Sequence, residues 1–168
     1  MKKNLVLLGM MAVGKTTLGK MVAKKQKLEF IDVDKNIEKK NFMSIKDIFK
    51  KKGEAFFRKE EEKETIKCLK NRNCIIALGG GAFINKKIRE IVLKKTFSIW
   101  LDIDIETLIG RSKYNQNRPL VMKGNNENIK NIYEERKKTY KLAHQKIMCD
   151  KLNKSEIVEK IIDLYELQ

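Results

Sequence analysis

Short apolar runs alternate along this chain with longer segments whose apolar positions recur every three or four residues. Near-continuous apolar runs of this length read as strands buried on both faces, and the three-to-four spacing reads as amphipathic helix. On that basis "NLVLLG" (4–9) is a strand and 15–26 a helix. "LEFIDVD" (28–34) is a second strand, followed by a helix through Ile37. Another helix opens at "SIKDIF" with Ser44 as its N-cap, and 53–70 forms a long helix before the strand "CIIALGGG" (74–81). A helix around 85–94, the strand "FSIWLDI" (97–103), helices near 104–112 and 129–145, the short strand "KIMCD" and a closing helix at 155–166 complete the series. Five strands alternating with helices predict an α/β protein with a parallel sheet covered on both faces. Ligands of such sheets bind beyond the carboxyl ends of the strands.

At 168 residues and 42 % apolar composition, one domain spanning 1–168 with a single core is expected. No repeat or low-complexity linker divides it, and no apolar run is long enough to span a bilayer. Three cysteines without C-x-x-C spacing (Cys68, Cys74, Cys149) argue against a disulfide framework or zinc site and fit a reducing, cytoplasmic setting. The lone histidine, His144, reads as a surface residue. The formal charge of +16 suits a phosphate-binding surface, but the lysines are scattered and rarely interleave with aromatics. A solvated basic surface without nucleic acid is the simpler reading.

The first strand is where chemistry enters. Lys2 and Lys3 followed by an apolar run look like the start of an export signal, but no small-residue cleavage site follows. The run instead leads into Gly9-Met10-Met11-Ala12-Val13-Gly14-Lys15-Thr16, which fits G-x-x-x-x-G-K-[ST] between a strand and a helix. Glycines at 9 and 14 let successive N–H groups face phosphate oxygens, and the helix N-terminus adds partial positive charge. Lys15 can reach the β- and γ-phosphates of a nucleotide, and the Thr16 hydroxyl can join the shell of Mg²⁺. The metal-side acids are expected in "FIDVDKNIE", where strand alternation would put Asp32 and Asp34 on one face. The competing structural reading is an acidic strand end capping the next helix.

Lysine heavily outnumbers arginine, so Arg58, Arg118 and Arg136 stand out as positions suited to a guanidinium fork on a carboxylate or phosphate. Arg58, beside Glu60, Glu61 and Glu62, also suits a helix-surface ion pair. Three glycines ending a buried strand (79–81) suggest close backbone approach to a ligand. The polar stretch 112–128, with the chain's one proline at 119, has the makings of a mobile loop.

In order, the chain carries the phosphate loop, Asp32-x-Asp34, "GEAFFR" ending at Arg58, the triple glycine, Arg118-Pro119, and Arg136 four residues before Tyr140. This ordered set resembles the shikimate kinases over the whole length. The resemblance implies a three-layer P-loop kinase fold with a five-stranded parallel sheet, a substrate-binding segment at about 33–61 and a lid at about 112–125. It implies transfer of the ATP γ-phosphate to the 3-hydroxyl of shikimate by a cytoplasmic monomer, with Mg²⁺ and without nucleic-acid or membrane partners. Asp34, Lys15 and Arg118 would be catalytic. Residues Ala12, Val13, Gly14, Lys15, Thr16 and Thr17, with Arg111 and Arg118, would hold ATP, and Asn153 is a candidate for the adenine edge. Asp34, Arg58, Gly79, Gly80, Gly81 and Arg136 would hold shikimate. Thr16, and Asp32 through water, would serve the metal. Two departures stand against the pattern: Ala12 where glycine is common, and Lys138 where proline is common. The rivals are another small-molecule P-loop kinase, acting on gluconate or a nucleotide, and a basic ATP-dependent RNA-binding protein.

Overall fold

The computed structural model describes residues 2–113 and 126–168. The strands β1 (Asn4–Leu8), β2 (Glu29–Asp32), β3 (Cys74–Ala77), β4 (Thr96–Asp102) and β5 (Gln145–Met148) form one sheet in the order β2-β3-β1-β4-β5. Every neighbouring pair is parallel, so the expected fold class stands. All five β1 side chains are buried, and so are all four of β3, as the uninterrupted apolar runs require.

The helices are α1 (Lys15–Gln26), α2 (Val33–Asn41), α3 (Ile45–Cys68), α4 (Lys86–Lys95), α5 (Ile105–Lys113), α6 (Asn126–Tyr140) and α7 (Lys154–Glu166). Ser44 caps α3 as expected, its hydroxyl accepting from the Asp47 N–H at 3.1 Å. The two helices expected between 45 and 70 are continuous except at Gly53, whose φ of 83° and ψ of 169° break the helical run. A 3-10 turn at Ala82–Ile84, absent from the sequence reading, follows the triple glycine.

His144 is exposed, yet it does more than decorate the surface. The Ser98 N–H donates to its Nδ1 at 3.1 Å, and the Ser98 hydroxyl lies 2.7 Å away. Nδ1 is thereby an acceptor, leaving Nε2–H to donate to the Leu93 carbonyl at 3.2 Å. The imidazole ties the start of β5 to β4 and α4. All three cysteines are free and buried, and burial pushes the Cys149 thiol up to about 12. Among the described residues no helix is long and apolar enough to cross a membrane.

Candidate active site

The loop from β1 to α1 is shaped by three positive φ angles, 142° at Gly9, 62° at Ala12 and 104° at Gly14. A side chain at Gly9 would run into the Leu101 carbonyl of β4. Ala12 therefore adopts the left-handed conformation that glycine takes freely, and accepts strain of about 1–2 kcal/mol to do so. Gly14 is the N-cap of α1 and makes no side-chain cap hydrogen bond, so it leaves the first-turn N–H groups uncapped. Lys15 is 7 % exposed and donates to the Gly9 and Met10 carbonyls, each at 2.8 Å, pinning the loop.

The acids after β2 are held differently from the strand reading. The strand ends at Asp32, and Asp34 lies in the first turn of α2. Asp32 is the N-cap, accepting from the Lys35 N–H at 3.2 Å, so the capping interpretation is realised. Its other oxygen accepts from the Thr16 hydroxyl at 2.6 Å, so it faces the phosphate loop at the same time. Strand alternation does not bring Asp32 and Asp34 together; the turn from strand into helix does, and both line one cleft.

That cleft, of about 820 Å³, is bordered by Thr16, Asp32, Asp34, Arg58, Gly80 and Arg136. Gly80 and Gly81 line it and Gly79 lies just behind, against Glu61 and Asp34; the reason for three glycines is visible residue by residue. A Cβ on Gly79 would lie 2.6 Å from Glu61 Oε1 and 2.7 Å from Asp34 Oδ1. One on Gly80 would meet an Arg136 nitrogen at 3.1 Å, and one on Gly81 an Arg58 nitrogen at 2.5 Å. Each missing side chain is the space taken by one of the cleft's charged groups.

Glu61 is the residue that the sequence reading treated only as a surface partner. It is 3 % exposed and accepts from Arg58 at 2.7 Å, three residues away on α3. Burial pushes its carboxyl up and the Asp34 carboxylate adds to the rise, while Arg58 and Arg136 oppose it. Burial works against the Arg58 cation, but Glu61 and Glu54 outweigh it and hold its pKa raised. The ion pair and the cleft position of Arg58 are therefore compatible: Glu61 fixes the fork's direction from behind.

Arg136 hydrogen-bonds Tyr140, one helical turn further along α6. Tyr140 is 1 % exposed, its hydroxyl donates to the Gly80 carbonyl, and its ring packs 5.8 Å from Trp100. Lys138 leaves α6 unbroken through Tyr140, so this register is continuous. Upstream, the Tyr133 hydroxyl donates to buried Asp102 at 2.9 Å, and Lys146 pairs with the same carboxylate at 2.8 Å. Tyr133 and Asp102 were not singled out in the sequence, where nothing distinguishes them from ordinary core positions.

Of the other expected site residues, Val13 is buried and Thr17 exposed on α1. Arg111 is exposed on α5 and near enough to Cys149 to oppose the rise of its thiol. Asn153 caps α7 in a capping box: its side chain accepts from the Glu156 N–H at 3.0 Å, and its N–H donates back at 2.7 Å. That bond commits the Asn153 side-chain oxygen to the helix. Apart from its first two residues, at the end of α5, the expected lid with Arg118 lies outside the described residues.

A P-loop, an Asp and two arginines around three glycines are features that can be compared with known proteins. The shikimate kinase family profile matches residues 11–166. The shikimate kinase of a Sulfurihydrogenibium strain is 41 % identical over 160 residues, covering 95 % of this chain and 96 % of that protein. The one from Bacillus subtilis is 37 % identical over 99 % of this chain and 90 % of its own length. Among solved structures, Acinetobacter baumannii shikimate kinase in complex with shikimate superposes with a TM-score of 0.95 at 29 % identity, over 99 % of this chain and 94 % of that one. A gluconokinase from Sinorhizobium meliloti reaches a TM-score of 0.60 at 16 % identity, which reflects the shared fold alone. A family match over nearly the whole chain, with relatives this similar along their full length, establishes that this chain belongs to the shikimate kinase family.

Proposed function

We propose that this protein transfers the ATP γ-phosphate to the 3-hydroxyl of shikimate. The observation that carries the proposal is the convergence of Asp34, Arg58 and Arg136 on Gly79–Gly81 beside a cleft that Thr16 also borders. Such an acceptor is a small ring with one carboxylate and several hydroxyls. Two guanidinium forks suit the carboxylate, because each donates two parallel hydrogen bonds and stays charged. Arg58, backed by Glu61, and Arg136, backed by Tyr140, would hold it, with the backbone of Gly79, Gly80 and Gly81 lying against the ring.

The phosphate loop, Ala12 to Thr17, would cradle the nucleotide, and Lys15 would turn its ammonium from the loop carbonyls to the β- and γ-phosphates. Arg111 would flank the adenine, and the Asn153 backbone carbonyl is a further candidate there. The lid at about 112–125 would bring Arg118 and exclude water, which competes with the acceptor for the phosphoryl group. Asp34 would orient the 3-hydroxyl and take its proton as that oxygen bonds to the γ-phosphorus. The bond to the β–γ bridging oxygen breaks, and ADP leaves.

The donor set suits Mg²⁺. Among the described residues no three His, Cys, Asp or Glu side chains form a metal cage, and the Thr16–Asp32 pair is hydroxyl and carboxylate oxygen. Mg²⁺ typically takes one or two such oxygens, keeps several waters and binds the phosphates themselves. When bound it would neutralise charge on the β- and γ-phosphates, with Thr16 in its shell and Asp32 orienting its water.

The test is ADP formation by the purified protein with ATP and Mg²⁺ against a panel of shikimate, gluconate and nucleoside monophosphates. ADP release that depends on shikimate is expected. Equal turnover without shikimate, or preference for gluconate or a nucleotide, would overturn the assignment.

A further inference from the structure

At the opposite end of the sheet from the cleft, a depression of about 460 Å³ opens between the carboxyl-terminal ends of α3 and α4. Its lining includes five cations, Lys2, Lys3, Lys70, Arg72 and Lys95, and no carboxylate. Lys2 stands over the Tyr165 ring at 5.4 Å. Among the described residues, the side chains of the other four make no hydrogen bond or ion pair.

Two alternatives account for lysines in such a place, and magnitudes decide between them. Lysines at helix ends commonly offset the helix dipole, but each carboxyl-terminal end carries only about half a negative charge. Two ends offset about one of the five cations and leave about four positive charges uncompensated. The second alternative is the basic surface of a lysine-rich chain. Arg72 speaks against it, because arginine is scarce here and the others have work to do. Of six arginines, Arg89 donates to the Phe83 and Ile84 carbonyls at 3.1 and 2.9 Å, and Arg58, Arg111, Arg118 and Arg136 belong to the proposed site. Arg72 alone is left, between Asn71 and left-handed Asn73 (φ 55°), in the loop that borders the depression.

We infer that this depression binds the phosphate chain of a triphosphate-bearing molecule. A linear triphosphate carries about four negative charges near neutral pH, matching the uncompensated charge. The cavity has the size of small-molecule sites, and the Arg72 fork can take two oxygens of one phosphate while the lysines act as point charges. That Arg72 alone is left over rests on the proposed site, and the experiment reads the two places by separate signals.

The test is a titration of the full-length, ¹⁵N-labelled protein with inorganic tripolyphosphate and, separately, with ATP. The amide signals of Asn71, Arg72 and Asn73 report on the depression, and those of Lys15 and Thr16 on the phosphate loop. Saturable shifts at 71–73 are expected with tripolyphosphate. The same shifts are expected with ATP, and their restriction to tripolyphosphate would overturn the assignment to a triphosphate-bearing molecule. In Lys70→Ala/Arg72→Ala the affinity read at 71–73 should fall about tenfold or more, the loss of one or two charge-assisted contacts, while the phosphate-loop response is unchanged. Unsaturable shifts, shifts reproduced by chloride at equal ionic strength, or an unchanged affinity in the double variant would overturn it. So would a single-stranded RNA that binds there and is not displaced by tripolyphosphate.

Discussion

Replacing Gly79 by alanine tests whether the three glycines exist to admit charged groups. The added Cβ would sit 2.6 Å from Glu61 Oε1 and 2.7 Å from Asp34 Oδ1, where ordinary contact begins near 3.4 Å. Glu61 must then retreat by about 0.8 Å and Asp34 by about 0.7 Å. Neither has much room: Glu61 is buried and tied to Arg58 at 2.7 Å, and Asp34 sits in the first turn of α2. Misplacing a reacting group by about 1 Å can cost on the order of a hundredfold in rate. Gly79→Ala should therefore lower kcat by about 10- to 100-fold and raise KM for the acceptor. KM for ATP should hardly move, because the atoms nearest the new methyl group belong to Glu61 and Asp34 rather than to the phosphate loop. Overpacking of this kind costs about 1–3 kcal/mol of stability, so steady-state ADP release should be paired with urea denaturation. A folded Gly79→Ala protein with kcat within about threefold of the parent would refute this reasoning.

Arg136→Lys should weaken acceptor binding about tenfold or more and leave ATP binding nearly unchanged, because a point charge cannot replace a fork; equal losses in calorimetry would contradict the assignment. Ala12→Gly should stabilise the fold by about 1 kcal/mol by relieving the left-handed φ of 62°. Gly110→Ala, in α5 with nothing among the described residues within 4 Å of the new Cβ, should stabilise it by a similar ~0.5–1 kcal/mol, because alanine loses less backbone freedom in a helix. Urea midpoints that fall in either variant would show that the backbone argument fails. Lys40 pairs with Glu60 at 2.9 Å, and its hydrogen bond is the main cause holding the Glu60 carboxyl below its ordinary value. A depressed carboxylate stabilises above its unfolded pKa and loses that contribution as pH falls through its folded value. Lys40 is half exposed, so Lys40→Ala should cost only about 0.5 kcal/mol at neutral pH. That difference should vanish as Glu60 is protonated, and a gap that widens on acidification would refute the sign.

The central strands β1 and β3 were legible because each is a near-continuous apolar run, and α3 because Ser44 marks its start. The phosphate loop was legible too, since its chemistry is contiguous in sequence and needs glycine at fixed spacing. Asp34, Arg58, the triple glycine and Arg136 were singled out through an ordered pattern, without any indication of how they meet.

What the chain could not declare locally depends on contacts between distant segments. Ala12 stood out only as a departure from glycine; whether it would keep a negative φ or accept strain was not readable locally, and in the folded loop it is left-handed at 62°. Asp32 and Asp34 were assigned to one strand face, yet the strand ends between them and only the fold brings both to the cleft. Glu61 looked like one of three exposed acids; its pair with Arg58 is local, three residues along one helix, but its burial comes with the close approach of Gly79 to α3. Residue types and their spacing determined the elements, the nucleotide loop and the inventory of charged groups. Tertiary structure alone decided which charges are buried, which backbone bears strain and which missing side chains make room, because all three are set by residues far apart in the chain.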